Sequence, residues 1–419
     1  TITNGIILKN NSINDIFNVI DELIKNKKKL KDLQNKSYKN FYLTNKYISK
    51  KIDSYRLKLV SKKLNITSSR LLKSKLKIIH ITNFNERHNG RLFYNTGKRI
   101  NNGLVRLGHS VLEFSDRDIL SNNRKLSDLN GADFLNKKLL NVIGNYAPDL
   151  IVLGHADLIN IKTLKIIKKY YPETKITQWF LDRMDSEWIN NKSRFLKKID
   201  IMDSNFCTTD PTSLKHSKKY PIYYLPNPVD KSFETLKNYE NKDLKNDVFF
   251  AMSHGVHRGV LKKGKFDKRE LFLKKLTNKL PNIKFDIYGV ENKEPIWADN
   301  FIKVLSQSKI ALNLSQGKPS KYYTSDRFAQ LIGNGLLVLI DKKISYNNLF
   351  NSNEIISYSN LKDLTNKIEM YANNDKLRQK IAKNGRNKYF KYFNSTVVAE
   401  YIINKTFNIK KKYYWEGKV

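Results

Sequence analysis

The stretch from residue 75 to residue 115, KLKIIHITNFNERHNGRLFYNTGKRINNGLVRLGHSVLEFS, decides the fold. It begins with a short apolar run, KLKIIHITNF (75–84), which ends in polar residues as a buried parallel strand should. A helix-like segment follows, and Gly108 stands where the C-terminal cap of a helix is expected. The next run, HSVLEFSD, again predicts a strand. A strand, a helix and a second strand in this order indicate a βαβ unit and therefore a parallel sheet.

The same alternation continues as far as a cluster of prolines. Further strands are predicted at DLIVLGHAD (149–157), KITQWFLD (175–182) and IDIMDSNFCTT (199–209), with helical segments between them. The segment YPIYYLPNPVD (220–230) carries three prolines, which are unsuited to a helix or a central strand. We therefore interpret this segment as the end of a first domain and the connection to a second.

The alternation of strands and helices then restarts, which predicts a second domain of the same kind. The predicted strands are DVFFAMSH, IKFDIYGV, KIALNLS and GLLVLID, and residues 360–408 have a helical pattern. We predict an α/β protein in which two Rossmann-like domains face each other across a cleft. The N-terminal domain is predicted at 75–228 and the C-terminal domain at 229–385. A C-terminal helix and a basic tail are predicted at 386–419.

Residues 1–74 are polar, rich in lysine and helical in pattern, which predicts an N-terminal helical extension. Apolar residues recur there at helical spacing, namely Ile13, Ile16, Phe17, Ile20, Leu23 and Ile24. The stretch INDIFNVIDELIKNKKKLKDL is similar to LKDLTNKIEMYANNDKLRQKI at 361–381. Two interpretations stay open. The extension is either the tail of a preceding, similar module, or a pair of amphipathic helices that are alike in composition only.

The chain is strongly basic, with 78 Lys and Arg against 39 Asp and Glu and a formal charge of +39. Such a charge attracts nucleic acid, anionic lipid head groups or phosphorylated substrates. The lysines are spread along the whole chain, so a compositional bias explains the charge equally well. Peripheral contact with an anionic membrane therefore stays an alternative, and no specific nucleic-acid partner is expected.

The cysteine content and the hydropathy of the sequence indicate the cellular compartment of the protein. Cys207 is the single cysteine of the sequence, which excludes an intramolecular disulfide and fits a reducing cytoplasm. No run of about 18 uncharged apolar residues occurs in the sequence. We predict a cytoplasmic protein, with peripheral association at the inner face of the membrane left open. Asp116 and Asp118 form an isolated D-x-D pattern without an evident third ligand, so neither a metal nor another cofactor is expected.

The loop and helix in KYYTSDRFAQLIGNGLLVLID (321–341) carry the main candidate binding residues. Ser325 or Asp326 can cap the N-terminus of the helix, where backbone N–H groups and the guanidinium of Arg327 predict a diphosphate site. Gln330 lies one turn further, on the face able to reach a ribose or sugar hydroxyl. The alternative is an ordinary capped helix whose arginine is a surface charge.

Residues that follow the strands of the N-terminal domain predict the opposite wall of the cleft. Asn89 and Gly90 permit a tight turn with positive φ, and Arg91 is placed to face the cleft on the acceptor side. His155 and Asp182 each follow a predicted strand, so both should project toward the same cleft, where either is a candidate general base. The alternative for His155 is a structural role, because a histidine in a loop is often a hydrogen-bonding group.

Three parts of the sequence resemble GT-B glycosyltransferases, in particular a bacterial branch grouped with spore-maturation-like and family-1/4-like enzymes. These parts are the block at 325–341, the linker LPNPVD at 225–230 and the late helical tail. The resemblance implies metal-independent transfer of a sugar from a nucleotide-diphosphate sugar to a glycan, lipid-linked or protein acceptor. It favours retention of configuration, which needs no general base, over inversion, which would use His155 or Asp182. It also implies a place in cell-surface polysaccharide biosynthesis. Gln330 departs from the pattern, because these enzymes usually carry a ribose-binding glutamate there and an amide is a weaker acceptor.

The resemblance also implies residues that contact the phosphates and the base of the donor. Arg258 is the candidate to neutralise the departing diphosphate, with Lys263 or Lys268 in support. Tyr288 and Gly289 resemble the wall that packs on the nucleotide base. Two alternatives remain, a catalytically inactive GT-B module that binds a glycan or acts as a scaffold, and a DNA-binding or DNA-modifying protein.

Overall fold

The protein is described by a computed structural model that covers the chain except residues 1–4, 9, 11, 41–44, 64–74, 125–127, 129–130, 215–218, 254–266 and 291–292. The chain divides into two units, Thr1–Ser74 and Lys75–Val419. The first unit is helical, as predicted, and its helices are α1 (Ile13–Lys25), α2 (Lys27–Asn40) and α3 (Asn45–Lys63). None of the helices in the described residues is long and apolar enough to cross a membrane.

The second unit begins with the predicted parallel sheet. Its strands are β1 (Lys77–Thr82), β2 (Ser110–Ser115), β3 (Leu150–Gly154), β4 (Lys175–Phe180), β5 (Ser204–Cys207) and β6 (Ile222–Tyr224). In the described part of the chain they lie in the order β2-β1-β3-β4-β5-β6, with Lys77 opposite Ser110 and Ile78 opposite Leu150. The helices of this domain are α4 (Thr96–Arg106), α5 (Asp116–Asn122), α6 (Ala132–Tyr146), α7 (Ile161–Tyr170) and α8 (Ile189–Leu196). The predicted βαβ alternation is therefore confirmed.

A second parallel sheet follows, also as predicted. Its strands are β7 (Asn246–Ala251), β8 (Phe285–Tyr288), β9 (Ser308–Asn313), β10 (Leu337–Asp341) and β11 (Ile356–Tyr358). Over the described residues their order is β11-β10-β9-β7-β8. The remaining helices are α9 (Lys268–Lys279), α10 (Ala298–Leu305), α11 (Arg327–Gly333), α12 (Leu361–Ala372), α13 (Asp375–Tyr392) and α14 (Ser395–Thr406). The two sheets confirm an α/β protein with two Rossmann-like domains.

Strands such as β3 and β9 are buried along almost their whole length, as expected where helices cover both faces of a parallel sheet. Ile79, Ile81 and Leu153 belong to the core of the first domain. Val248 and Leu339 belong to a separate core in the second domain. All five are at most 2% exposed, and each contributes roughly 1.5–3 kcal/mol to stability by burial.

Strand β6 lies inside the segment at 220–230, which was interpreted as the end of the first domain and the connection to the second, and it is the last strand of the first sheet. The strand spans three residues and sits between Pro221 and Pro226 rather than containing a proline. It also lies at the end of the sheet, where the missing N–H groups of neighbouring prolines are tolerated. Proline clusters thus mark the ends of a short edge strand here, and the connection begins only after Tyr224.

The C-terminal helices return to the first domain. Helix α14 packs against α4 so closely that a Cβ added to Gly103 would lie 2.0 Å from the carbonyl oxygen of Ser395. The hydroxyl of Thr406 lies 2.7 Å from that of Ser204 in β5. Residues 395–406 are therefore part of the packing of the first domain. The boundary drawn at 385 falls within α13, which runs on to Tyr392.

The linker after β6 is held by both domains. Asp230 accepts two hydrogen bonds from the guanidinium of Arg106 in α4, and Glu234 accepts hydrogen bonds from Arg99 in the same helix. On the other side, Gly333 of α11 packs so closely that an added Cβ would lie 2.6 Å from the Cγ of Glu234. The linker therefore joins α4 of the first domain to α11 of the second.

Candidate functional site

A cavity of about 570 Å³, hereafter the cleft cavity, lies between the two domains at the carboxyl ends of β1 and β7. In each sheet the strand order reverses next to one of these strands, between β1 and β3 and between β7 and β9. Ligands of open α/β sheets bind at such switch points. The first domain lines the cavity with Asn85, Arg87, Arg91, Tyr94, Arg99 and Arg117, and the second with Met252, Trp297, Phe301, Asp326, Arg327 and Gln330.

Arginines are the main charged residues in the described lining of the cleft cavity. Among the described residues that line it are five arginines and one carboxylate, that of Asp326. Three of the arginines are paired with carboxylates, Arg87 with Asp118 at 2.8 Å, Arg99 with Glu234, and Arg117 with Asp157 at 3.8 Å. Arg91 and Arg327 also line the cavity, and their planar guanidinium groups are suited to phosphate oxygens.

Arg327 is held at the first turn of α11 by contacts other than a carboxylate. Its Nη1 donates to the carbonyl oxygen of Leu314 at 3.0 Å, and its guanidinium lies 5.2 Å from the ring centroid of Phe250. Burial and the nearby cation of Arg269 lower the pKa of Arg327 to about 10, so the side chain is still protonated at neutral pH. Gln330 also lines the cavity, and its Nε2 donates to the carboxylate of Asp326 at 3.2 Å.

The prediction that Ser325 or Asp326 caps α11 is wrong. Asp326 is the first flanking residue of the helix but has helical backbone angles, and its side chain makes no capping hydrogen bond. The hydroxyl of Ser325 has no hydrogen-bond partner within the described chain. The helix is also short, at seven residues. Asp326 and Arg327 therefore line the cavity without a capped helix end between them and a ligand.

The turn that presents Arg91 has the predicted backbone. Asn89 and Gly90 both have positive φ, at 52° and 78°. Neither of them lines the cleft cavity, whereas Arg91 does. The guanidinium of Arg91 lies 5.7 Å from the ring centroid of Trp297, a contact between residues of opposite domains. This contact brings the two walls of the cavity together.

His155 is held by the backbone of the neighbouring strand. Its Nε2 accepts a hydrogen bond from the N–H of Leu181 at 2.7 Å, and its ring stacks on Phe180 with centroids 4.1 Å apart. Burial lowers the pKa of His155, although the nearby Asp182 opposes this effect. The accepting nitrogen is therefore deprotonated and already occupied, and the proton of the neutral ring lies on Nδ1. In this arrangement the backbone N–H of Leu181 uses His155 Nε2 as its hydrogen-bond acceptor.

Asp182 is the more accessible of the two candidate bases, with its side chain 50% exposed. Its carboxylate lies 3.7 Å from His155 Nδ1 and 3.7 Å from Arg194 Nη1. Both Asp182 and His155 lie outside the lining of the cleft cavity. A catalytic role for either residue stays a prediction.

The predicted wall for the nucleotide base lies one layer behind the cleft cavity. Gly289 has a φ of 72°, and a Cβ there would lie 1.8 Å from the carbonyl oxygen of Met252, which lines the cavity. The ring of Tyr288 is covered by Lys293, whose Nζ lies 3.9 Å from the ring centroid. The predicted phosphate-binding residues Arg258 and Lys263 lie outside the described residues.

Several residues of the cavity wall were not predicted from the sequence, among them Arg99 and Trp297. Arg99 lies inside an amphipathic helix, where an arginine is usually a surface charge. Trp297 could have been identified as a candidate, because a tryptophan in a predicted loop often belongs to a binding surface. Asn85 and Ala298 also line the cavity and have positive φ, at 64° and 50°. Such strained backbone in residues other than glycine is concentrated at functional sites.

Asp116 and Asp118, the two acidic residues of the D-x-D pattern, do not share a candidate metal position. Asp118 accepts backbone N–H groups from Glu86 and Arg87, whereas the carboxylate oxygens of Asp116 are buried without a hydrogen-bond partner in the described structure. Burial raises the pKa of Asp116 to about 6. No cluster of three potential metal ligands occurs among the residues described. The expectation that the protein uses no metal stays a prediction.

Comparisons with known proteins agree with this architecture. Residues 268–404, from α9 into α14, match the sequence profile of a family described as "Glycosyl transferase-like". Sucrose-phosphate synthase from Thermosynechococcus elongatus superposes with a TM-score of 0.50 and 10% identity over 80% of this chain and 100% of its own. AviGT4, a glycosyltransferase involved in avilamycin A biosynthesis, gives the same score and identity over 80% and 98%. HepE of Anabaena in complex with UDP gives 0.48 and 11% identity over 80% and 100%.

The profile match and the two-sheet architecture confirm the resemblance to GT-B glycosyltransferases. The matched segment includes both Arg327 and Gln330. At 10% identity, the likeness to the structures with a TM-score of 0.50 concerns the fold alone. No curated protein matches the sequence significantly. The narrower relationship to spore-maturation-like enzymes stays a prediction.

Proposed function

We propose that this chain, which has the GT-B fold and a glycosyl transferase-like C-terminal domain, transfers a sugar from a nucleotide-diphosphate sugar to an acceptor. The observation that carries the proposal is the cleft cavity, whose described lining has five arginines against one carboxylate. A cavity between two Rossmann-like domains that is lined by arginines is suited to a diphosphate. Trp297 adds an aromatic surface of the kind on which a nucleotide base packs.

The reaction forms a bond between the acceptor oxygen and the anomeric carbon of the sugar, and breaks the bond from that carbon to the diphosphate oxygen. The proton of the acceptor hydroxyl is released, and the nucleoside diphosphate leaves with the bonding electron pair. Negative charge therefore grows on the leaving diphosphate. Arg327 from the second domain and Arg91 from the first are the residues that stabilise this charge in the proposal. Gln330 supplies an amide for a sugar or ribose hydroxyl.

Arginine side chains supply the charge stabilisation that a metal ion gives in other transferases, which supports a metal-independent reaction. The resemblance to GT-B enzymes supports retention of configuration and an acceptor that is a glycan, a lipid-linked glycan or a protein. The proposed reaction is a step in the synthesis of cell-surface polysaccharide, and it takes place in the cytoplasm. The formal charge of +39 supports peripheral contact of the enzyme with an anionic membrane.

A thermal-shift series with UDP, GDP, ADP, CMP and dTDP tests the proposal on the full chain. We expect one nucleoside diphosphate to stabilise the protein at moderate salt, and Arg327→Ala to abolish the shift. Lys303→Ala is the matched control, because Lys303 is an exposed cation of the same domain outside the cavity lining. An equal rise in melting temperature with every nucleotide and with heparin would mean that the protein binds polyanions through its net charge, and would refute the proposed donor site.

The glutamine at position 330 supports one alternative function. In it, the chain is a GT-B module that binds a glycan or acts as a scaffold without turnover. The residue stands where the resembling enzymes usually carry a glutamate, and here its amide donates to Asp326. Gln330→Glu separates the two functions. A large gain in turnover would indicate an enzyme with a weakened site, whereas nucleotide binding without turnover in both forms would favour the scaffold.

A further inference from the structure

A second cavity of about 670 Å³ lies at the carboxyl ends of β9, β10 and β11, and we call it the β9 cavity. Its described lining shares no residue with the cleft cavity. Phe272, Ile344 and Tyr358 give it apolar and aromatic walls, and Trp188 closes it from the first domain. A cavity of this size and lining is suited to a small organic ligand.

Three neutral polar side chains of the β9 cavity have no hydrogen-bond partner among the described residues. Asn313, the last residue of β9, is 1% exposed, and neither Oδ1 nor Nδ2 makes a hydrogen bond in the described structure. The same holds, among the residues described, for the buried Oγ of Ser315 and the buried Nε1 of Trp188. Buried polar groups are nearly always paired, since an unpaired one destabilises the fold. The amide, the hydroxyl and the indole N–H together supply donors and acceptors for an absent ligand.

The charges of the β9 cavity differ from those of the cleft cavity. The guanidinium of Arg269 is already bound to both carboxylate oxygens of Asp267, at 3.0 Å and 2.7 Å. Lys268 and Lys318 are exposed at the rim. The buried surface therefore offers neutral hydrogen-bonding groups and rings rather than unpaired cations. A sugar ring matches it, because it presents hydroxyls on its edge and C–H groups on its faces.

The two cavities adjoin each other at Arg327. This side chain lines the cleft cavity, and its Nη1 donates to the carbonyl oxygen of Leu314, a residue that lines the β9 cavity. The loop after β9 is also tied to the first domain, where Arg183 Nη1 donates to the carbonyl oxygen of Gln316 at 3.2 Å. The cavity thus forms where both domains meet, beside the proposed position of the donor diphosphate.

We propose that the β9 cavity binds a saccharide unit of the acceptor, held by Asn313, Ser315 and Trp188. The proposal rests on the proposed function, and it narrows the acceptor to a glycan. It also explains why the fold keeps an unpaired amide at the end of a buried strand, where an apolar side chain of the same size would stabilise the free protein.

Binding of free trisaccharides to the full chain tests the proposal. The probes are linear trisaccharides of glucose, N-acetylglucosamine and mannose, measured by saturation-transfer NMR and by thermal shift. We expect at least one to bind, and Trp188→Phe and Ser315→Ala each to weaken it about three- to tenfold, as the loss of one hydrogen bond does. Asn313→Leu should abolish binding without lowering the melting temperature of the free protein. Asn353→Ala, at an exposed position outside the cavity, is the control.

Nucleotide affinity separates this proposal from the proposed function. All three variants should bind the stabilising nucleoside diphosphate as the wild type does, whereas Arg327→Ala should not. If no trisaccharide binds, or if the variants bind it like the wild type, the β9 cavity is not an acceptor site. A parallel loss of nucleotide affinity in Trp188→Phe and Ser315→Ala would make it part of the donor site and equally overturn the proposal. If Arg327→Ala binds the nucleoside diphosphate like the wild type while the other variants behave as expected, the result would count against the proposed function and not against the acceptor site.

Discussion

Arg99 in α4 and Glu234 in the linker form an ion pair that is almost completely buried, with side chains 2% and 1% exposed. Arg99 Nε lies 3.2 Å and 3.3 Å from the two carboxylate oxygens, and its Nη1 donates to the carbonyl oxygen of Tyr94 at 2.7 Å. Glu234 also accepts the backbone N–H of Asp230 at 2.6 Å. The pair therefore connects the wall of the cleft cavity to the chain segment that joins the two domains.

Removal of either partner should destabilise the protein strongly. We expect Arg99→Met and Glu234→Gln each to cost about 3–5 kcal/mol, because the remaining charge is left buried without compensation. The double variant Arg99→Met/Glu234→Leu should recover most of this loss, since it removes both charges. Urea unfolding of the full chain, followed by tryptophan fluorescence, measures the three changes. Single variants within about 0.5 kcal/mol of the wild type would show that the pair is not a structural element.

Asp230 predicts a loss of stability in acid. Burial alone would raise the pKa of its carboxyl group, but hydrogen bonds from Arg106 and Ser232 more than offset this and lower the pKa to about 2. The charged form is therefore favoured by folding, and its contribution is complete above the ordinary pKa near 3.8. It should be lost as the pH falls from about 4 to about 2, and its full size is about 2 kcal/mol.

Asp230→Asn isolates this contribution. At pH 7 the variant should be less stable than the wild type, and the difference should shrink as the pH approaches 2. Melting temperatures at a series of pH values measure it, with Asp243→Asn as an exposed control. A difference that is independent of pH would contradict the assignment of the low pKa to Asp230.

The strand and helix pattern of the second unit could be predicted because both sheets are buried on two faces. Runs such as those around β3 and β10 are apolar without interruption, so local sequence alone marks them. The short strands β6 and β11 were missed, because three residues carry too little pattern and β6 lies between prolines. These strands were not predicted because they are too short to show an apolar run, although they belong to the same buried sheets.

The candidate site was less predictable, because its residues come together only through tertiary packing. Arg91, Asp326, Arg327 and Gln330 were predicted from loops that follow strands, and they do line the cleft cavity. Arg99 was missed because its partner Glu234 is 135 positions away in the sequence. Its pairing could not be inferred from any local pattern.

The close approach of α4 and α14 predicts an intolerance to any side chain at position 103. A Cβ on Gly103 would lie 2.0 Å from the carbonyl oxygen of Ser395, so Gly103→Ala must push the helices apart. We expect a cost of about 1–3 kcal/mol or more from overpacking, seen as a lower melting temperature.

Gly144 provides a matched control for Gly103. It also lies inside a helix, α6, but the nearest atom to an added Cβ is the hydroxyl of Tyr171 at 3.6 Å, an ordinary contact. Gly144→Ala should therefore be neutral or stabilise the protein by up to about 1 kcal/mol, since alanine has the higher helix propensity. Equal effects of the two substitutions would show that the packing of α14 on α4 is looser than described.

The hydrogen bond from the Leu181 N–H to His155 Nε2 predicts that His155 acts in stability rather than in proton transfer. Burial lowers the pKa of His155, so its neutral form is favoured by folding. The stability that it contributes is complete above the ordinary pKa of 6.5 and should be lost as the pH falls below that value. His155→Gln keeps an acceptor for the backbone N–H but does not titrate, so it should flatten this dependence of the melting temperature on pH.

Kinetics distinguish this role from that of a general base. Donor hydrolysis or sugar transfer by His155→Gln should keep the same shape of pH–rate profile between about pH 5 and pH 8, the range in which histidine titrates. His155→Ala should lose stability by about 1–3 kcal/mol, because the Leu181 N–H is left unpaired, and it should keep most of its turnover per folded molecule. A loss of turnover of about 100-fold or more in His155→Gln, with an unchanged melting temperature, would instead identify His155 as the base. Asp182→Asn, assayed in parallel, then shows whether the exposed carboxylate beside it takes that role.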